Sequence, residues 1–184
     1  MDNMNYSQVI GKYEELRLKT LQIAHEALPE VITNKKGLAI LKSDITLSGL
    51  DFITYEKLKR WKENKERVAK WDWDSVRKKY KPHPKRFELS IWHRKQFLCG
   101  ASIGKPTFSK NKLRLDYIEA NPSGSPLEGT ITDIVLLSGG LYAKAIGATQ
   151  IRIMNPVNER VRNHYIKRGG FDYNEKNNYC FKDI

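Results

Sequence analysis

Lys112-Leu113-Arg114-Leu115-Asp116-Tyr117-Ile118-Glu119-Ala120 is followed by a turn-rich run, Asn121-Pro122-Ser123-Gly124-Ser125-Pro126-Leu127-Glu128-Gly129, and then by an apolar-periodic segment from Ile131 to Gly147. The first piece alternates apolar and polar side chains, which predicts a strand. In the last, Ile131, Ile134, Val135, Leu141, Tyr142 and Ala145 share one helical face, and Gly147 closes the helix. Gly139-Gly140 lies inside it. Each interior glycine costs about 1 kcal/mol relative to alanine, which close packing against a sheet would offset. Thr149-Gln150-Ile151-Arg152-Ile153-Met154 reads as a second strand. Strand, helix and strand with such short links imply a parallel pair joined by a crossover, right-handed by the general rule.

Working outward, Phe87, Leu89 and Ile91 alternate with polar neighbours, and His93-Arg94-Lys95 turns the chain into Phe97 to Ile103, a β-hairpin. Downstream, Asn158 to Arg168 predicts a helix ended by Gly169-Gly170, and Phe171-Asp172-Tyr173 with Tyr179-Cys180-Phe181 a final hairpin. Upstream, Tyr6 to Leu28 reads as one amphipathic helix stopped by Pro29. Residues 29–56 stay open between strand and helix at Leu38 to Leu41, with Thr54 as a candidate N-cap for the next helix. Leu58, Trp61, Lys65 and Val68 follow helical spacing, and Asp72 or Asp74 would cap a short helix through Tyr80, stopped by Pro82 and Pro84. The expected architecture is α/β (α+β): a mixed, mostly antiparallel twisted sheet with a central parallel strand pair and flanking helices. Residues 1–86 are expected to form a helical, basic N-terminal region packed as one domain with a unit spanning 87–184.

Composition narrows the function classes. The 184 residues are 40% hydrophobic and 29% charged, enough apolar material for one real core and too much for a disordered tail. No stretch approaches the roughly 18 apolar residues of a membrane span. The opening Met1-Asp2-Asn3-Met4-Asn5-Tyr6 lacks a basic region followed by an apolar one, so a cytoplasmic protein with no membrane partner is expected. Cys99 and Cys180 stand apart, and His25, His83, His93 and His164 are scattered, so neither a disulfide framework nor a metal site is expected.

The chain carries 33 Lys and Arg against 21 Asp and Glu, a formal charge of +12. Residues 57–86 hold 13 basic and four acidic residues, a surplus of nine, together with Trp61, Trp71, Trp73 and Tyr80. Cations interleaved with aromatics can hold a phosphate backbone and stack bases. The competing reading makes Trp61 a core anchor and the lysines a solvated outer face.

Residues 112–171, with the hairpin before them, resemble the GNAT superfamily of N-acetyltransferases. The resemblance rests on a strand ending in a Pro-containing loop, the helix ending Tyr142-Ala143-Lys144-Ala145-Ile146-Gly147-Ala148, the strand Gln150 to Ile153 and Asn155-Pro156-Val157-Asn158. Tyr165-Ile166-Lys167-Arg168-Gly169-Gly170-Phe171 follows, similar to that family's tyrosine and Gly-Phe pair with one extra glycine. It covers roughly residues 87–184 and leaves the first 86 unmatched. The family's Arg/Gln-x-x-Gly-x-Gly/Ala loop for the acyl-CoA pyrophosphate corresponds here to Pro126-Leu127-Glu128-Gly129-Thr130-Ile131, which keeps one glycine, lacks the leading Arg or Gln, and adds the negative Glu128.

The resemblance implies acyl transfer to an amine from acetyl-CoA, or another acyl-CoA, as co-substrate, with no metal. It places Tyr165 as the proton donor to the leaving thiolate and Glu119 as the carboxylate that deprotonates the amine, directly or through water. Local readings compete: Tyr165 as a core side chain, Glu119 as an exposed strand-end charge. Ile118, Ala120 and Asn121, by their backbone, and Gly129, Thr130, Ile131 and Asn158 are the expected cofactor contacts, although Asn158 also fits a helix cap. The amine acceptor is open; nucleic acid or another anionic carrier could dock on residues 57–86. A GNAT-fold binder without activity and a nucleic-acid base-modifying enzyme on the same fold are the alternatives.

Overall fold

The alternating and helical patterns resolve into five helices and nine strands among residues 5–184, which the computed structural model describes. Met1 to Met4, part of the opening read for an export signal, lie outside the described residues. The order is α1 (Tyr6–Ala27), β1 (Val31–Thr33), β2 (Ala39–Leu41), β3 (Ile45–Ser48), α2 (Phe52–Trp61), α3 (Trp73–Tyr80), β4 (Phe87–His93) and β5 (Phe97–Pro106). There follow β6 (Lys112–Ala120), α4 (Ile131–Ala145), β7 (Gln150–Met154), α5 (Glu159–Gly169), β8 (Asp172–Asn174) and β9 (Tyr179–Asp183). No helix among them is long and apolar enough to cross a membrane.

Seven strands form one sheet in the order β3-β4-β5-β6-β7-β9-β8, and only β6 and β7 run parallel, joined through α4. Residues 1–86 are not wholly helical. β1 and β2 make a separate hairpin, and β3 pairs antiparallel with β4, Leu47 opposite Ile91, so the sheet begins before residue 87. α1 is tied to the same unit: Arg17, 7% exposed, donates to the carbonyls of Pro84 at 2.8 Å and Arg86 at 3.2 Å.

Side chains of successive strand residues point to opposite faces. Phe87, Leu89 and Ile91 of β4 join Leu113, Leu115 and Ile151 in a core covered by α1 and α4. Trp92, with Ala101 and Ile103, packs on the other face under Tyr55, Leu58, Trp61, Trp73, Val76 and Tyr80 from α2 and α3. Three aromatics of the basic segment, Trp61, Trp73 and Tyr80, are thus core anchors with at most 6% exposure and present no stacking face to a base. Gly139 lets α4 approach the sheet, since a Cβ there would stand 3.3 Å from Ile151 Cδ1 and Leu115 Cδ1.

One irregularity shapes everything downstream. Ile103 pairs with Tyr117 but Gly104 pairs with Leu115, so β6 carries one extra residue, Asp116. Such a bulge bends its strand and reverses side-chain parity beyond it. Leu113 and Leu115 therefore face the α4 core while Tyr117 packs with the α2–α3 core. Pairing of β6 with β7 ends at the same place, with Leu115 opposite Ile153, although β6 runs on to Ala120. The two parallel strands splay from there.

Candidate active site

The splay opens into a cleft of about 580 Å³. Its floor is the end of β6; its walls are residues 66–71 between α2 and α3, the loop after β6 with the first turn of α4, and the start of α5. Ile118, Glu119, Ala120, Asn121, Gly129, Ile131, Asn158 and Tyr165, read from sequence as site residues, all line it. Thr130 does not: its hydroxyl donates to the Leu127 carbonyl at 2.8 Å and the residue is buried behind the wall.

Tyr165 is 5% exposed, with its ring in the α4-side core and the same residue lining the cleft. The core and catalytic readings of this residue are therefore compatible. Burial, and then the neighbouring Cys180 thiol, push the phenol well above its usual range, so it keeps its proton at any working pH.

Glu119 is not an exposed strand-end charge. It is 6% exposed, and Arg67 grips it with two hydrogen bonds, Nε to Oε1 at 2.6 Å and Nη2 to Oε2 at 2.9 Å. Trp73 Nε1 donates to the same Oε2 at 2.7 Å. Three donors fill three of roughly four acceptor positions on a carboxylate, which leaves one for water.

Residues 62–72 form a strap, where helical spacing had suggested that α2 continues through Lys65 and Val68. Asn64 turns the chain, its side chain accepting from Glu66 N at 2.8 Å and its carbonyl from Arg67 N at 3.2 Å, and the Arg67–Glu119 pair then pins the strap to β6. α2 is capped by Asp51, whose carboxylate accepts from the backbone N–H of Thr54 at 2.7 Å, so Thr54 is not the cap. Asp72 caps α3.

The loop before α4 is held from outside. Asn34, buried in the β1–β2 turn, donates to the Pro126 carbonyl at 3.0 Å, and Lys35 N donates to the Glu128 carbonyl at 2.8 Å. Gly129 has φ +85°, and a Cβ there would lie 2.9 Å from Lys35 Cβ, so only glycine fits. The Lys35 and Lys36 ammonium groups stand 3.9 and 3.6 Å from the Glu128 carboxylate. They offset the negative charge that set this loop apart in the sequence. α4 begins without a side-chain cap, and Lys35 and Arg160 line the cleft beside it. Unpaired first-turn N–H groups with nearby cations suit an anion such as a pyrophosphate. Lys35 and Arg67 escape sequence reading, with the surplus of charge in 57–86 the only signal near Arg67; Trp71 is singled out there only as one of the aromatics interleaved with those cations.

Asn121 is spent on the loop itself, donating to the Leu98 carbonyl at 2.9 Å and accepting from Ser123 N at 2.9 Å. The Asn158 side chain accepts from Val161 N at 2.9 Å, which makes it the cap of α5, and the residue also lines the cleft.

No protein-family model matches this chain, and no curated protein matches it in sequence. Its fold recurs among solved structures. A spermidine N-acetyltransferase from Vibrio cholerae, solved with CoA and spermine, superposes with a TM-score of 0.57 at 11% identity, over 77% of this chain and 96% of that one. A Desulfovibrio desulfuricans protein assigned to the GNAT family of acetyltransferases superposes with a TM-score of 0.59 at 9% identity, over 76% and 98%. The chain has the GNAT fold. The covered share, 77%, exceeds residues 87–184, which are about half of the chain, so the shared fold reaches into the first 86 residues.

Proposed function

We propose that this chain is an acyl-CoA-dependent N-acyltransferase that moves an acetyl or similar acyl group to an amine. The observation that carries the reading is the splay itself. Beyond Leu115 the edge of β6 that would face β7 has no strand partner and borders the cleft, so it can pair with an extended, amide-bearing arm. Bound acyl-CoA supplies an activated thioester. The chain's own residues supply the rest. Tyr165, held neutral, donates a proton to the leaving sulfur; the open acceptor position on Glu119 takes the amine's proton through water. Lys35, Arg160 and the first turn of α4 hold the phosphates, and Asn158 adds its amide N–H. Calorimetry with acetyl-CoA tests the reading: saturable binding is expected, and its absence at millimolar ligand overturns it in favour of a binding protein on the same fold.

The acceptor is an amine on an anionic carrier, nucleic acid included. Arg77, Lys78 and Lys79 are exposed on α3, and Lys79 Nζ lies 5.9 Å from the Tyr117 ring, itself 5.2 Å from the ring of Trp71 in the cleft wall. A net charge of +12 on the whole chain disfavours the approach of a polycationic amine. Reversing Arg77, Lys78 and Lys79 to Glu is expected to weaken binding of a single-stranded oligonucleotide by tenfold or more at 50 mM salt and to flatten its salt dependence. Undetectable oligonucleotide binding by the unaltered protein at that salt removes nucleic acid as the carrier.

A further inference from the structure

Trp71, on the strap, is half-buried, and its Nε1 is shielded from solvent with no hydrogen-bond partner among the described residues. An indole N–H only donates, and a shielded donor left unpaired is costly. Ser102 and Ser138 also have unpartnered hydroxyls, but neither lines the cleft. Trp71 does, and it also lines a smaller cavity of about 40 Å³ in the splay, where Ile118, Val157, Val161 and Tyr165 are again its neighbours. That space admits a carbonyl group. The ring is held by packing alone, tilted on Tyr117 at 5.2 Å and edge-on to Trp73 at 6.5 Å, while Trp73 spends its own N–H on Glu119. The indole of Trp71 is thus fixed without using its donor.

Ligand chemistry decides what the donor meets. An ammonium acceptor has no lone pair to offer, and the cations that suit phosphates belong to the β1–β2 turn and to α5, beside the start of α4. We propose that Trp71 Nε1 donates a hydrogen bond to a carbonyl oxygen of bound acyl-CoA, of the thioester or of a pantetheine amide, an inference that rests on the acyltransferase reading above.

The test is Trp71→Phe, titrated calorimetrically with acetyl-CoA and with CoA, which keeps the amides but lacks the thioester carbonyl. Loss of this bond weakens binding about tenfold. Weakening for acetyl-CoA alone assigns the thioester oxygen, and equal weakening for both assigns a pantetheine amide. Affinities within twofold of the parent for both ligands, in a variant with native circular dichroism, overturn the proposal. If the variant does not fold, the unaltered protein is read by its ¹⁵N-indole spectrum. The Trp71 Nε1–H resonance, assigned by its proximity to Tyr117, is expected to move downfield at saturation with acetyl-CoA; an unmoved resonance overturns the proposal and leaves the acyltransferase reading intact. No binding of either ligand by the unaltered protein overturns both.

Discussion

Glu119→Ala is expected to destabilise the protein by about 3–5 kcal/mol in urea unfolding, the cost of removing one partner from a buried ion pair. The size follows from what is stranded. Arg67 and Glu119 are 7% and 6% exposed at their side chains, so the guanidinium left behind can reach little water, and Trp73 loses the acceptor of its indole N–H. Arg67→Ala strands the opposite charge and is expected to cost a similar amount. Arg67→Met combined with Glu119→Gln removes both charges, keeps the arginine stem's packing and leaves a carbonyl for Trp73. It should therefore recover most of the loss and stand closer to the parent than either single alanine variant. A Glu119→Ala variant within 1 kcal/mol of the parent would show that the pair is hydrated and that the strap is not pinned through it. The double variant also separates fold from chemistry: if it is stable and still inactive toward amines, the carboxylate has a role beyond holding the strap.

This network shows where sequence reading stops. β6 is legible from alternation, and its limits, Lys112 to Ala120, agree with the structure. The same alternation conceals the bulge, because Leu113, Leu115 and Tyr117 read as one face when Asp116 puts Tyr117 on the other. Glu119 then turns toward α3, which local pattern cannot announce, since its partners Arg67 and Trp73 lie 52 and 46 residues away. The strap fails for a related reason. Lys65 and Val68 keep helical spacing with Leu58 and Trp61, and the turn at Asn64 together with a distant carboxylate overrides it. The β1–β2 hairpin has strands of three residues each, too short to show a period, so Lys35 could not be placed beside Glu128 before the fold was known. Elements whose burial follows their own periodicity were readable; positions set by long-range polar contacts were not.

Tyr165→Phe is expected to lower acyl transfer about 100-fold while leaving acetyl-CoA affinity within about threefold, the pattern for loss of a general acid that acts only as the thiolate departs. The ring is what fills the core beside Cys180 and Phe171, and phenylalanine keeps it, so the fold is not expected to change. Release of CoA thiol with an amine-bearing oligonucleotide as the probe acceptor gives the rate, and calorimetry gives the affinity. The pH profile adds a second constraint. Burial, and to a lesser degree Cys180, hold the Tyr165 phenol above its ordinary value near 10, and raising pH depletes the protonated form only on passing through that higher value. Transfer by the unaltered protein should therefore show no falling limb from this group up to about pH 10. A falling limb near pH 8 that disappears in Tyr165→Phe would mean the hydroxyl is far more acidic than its surroundings make it. An undiminished rate in Tyr165→Phe removes it as proton donor and leaves the departing sulfur to water or to the amine's own proton. The binding cleft and the fold would stand unchanged by that outcome, because neither depends on the hydroxyl.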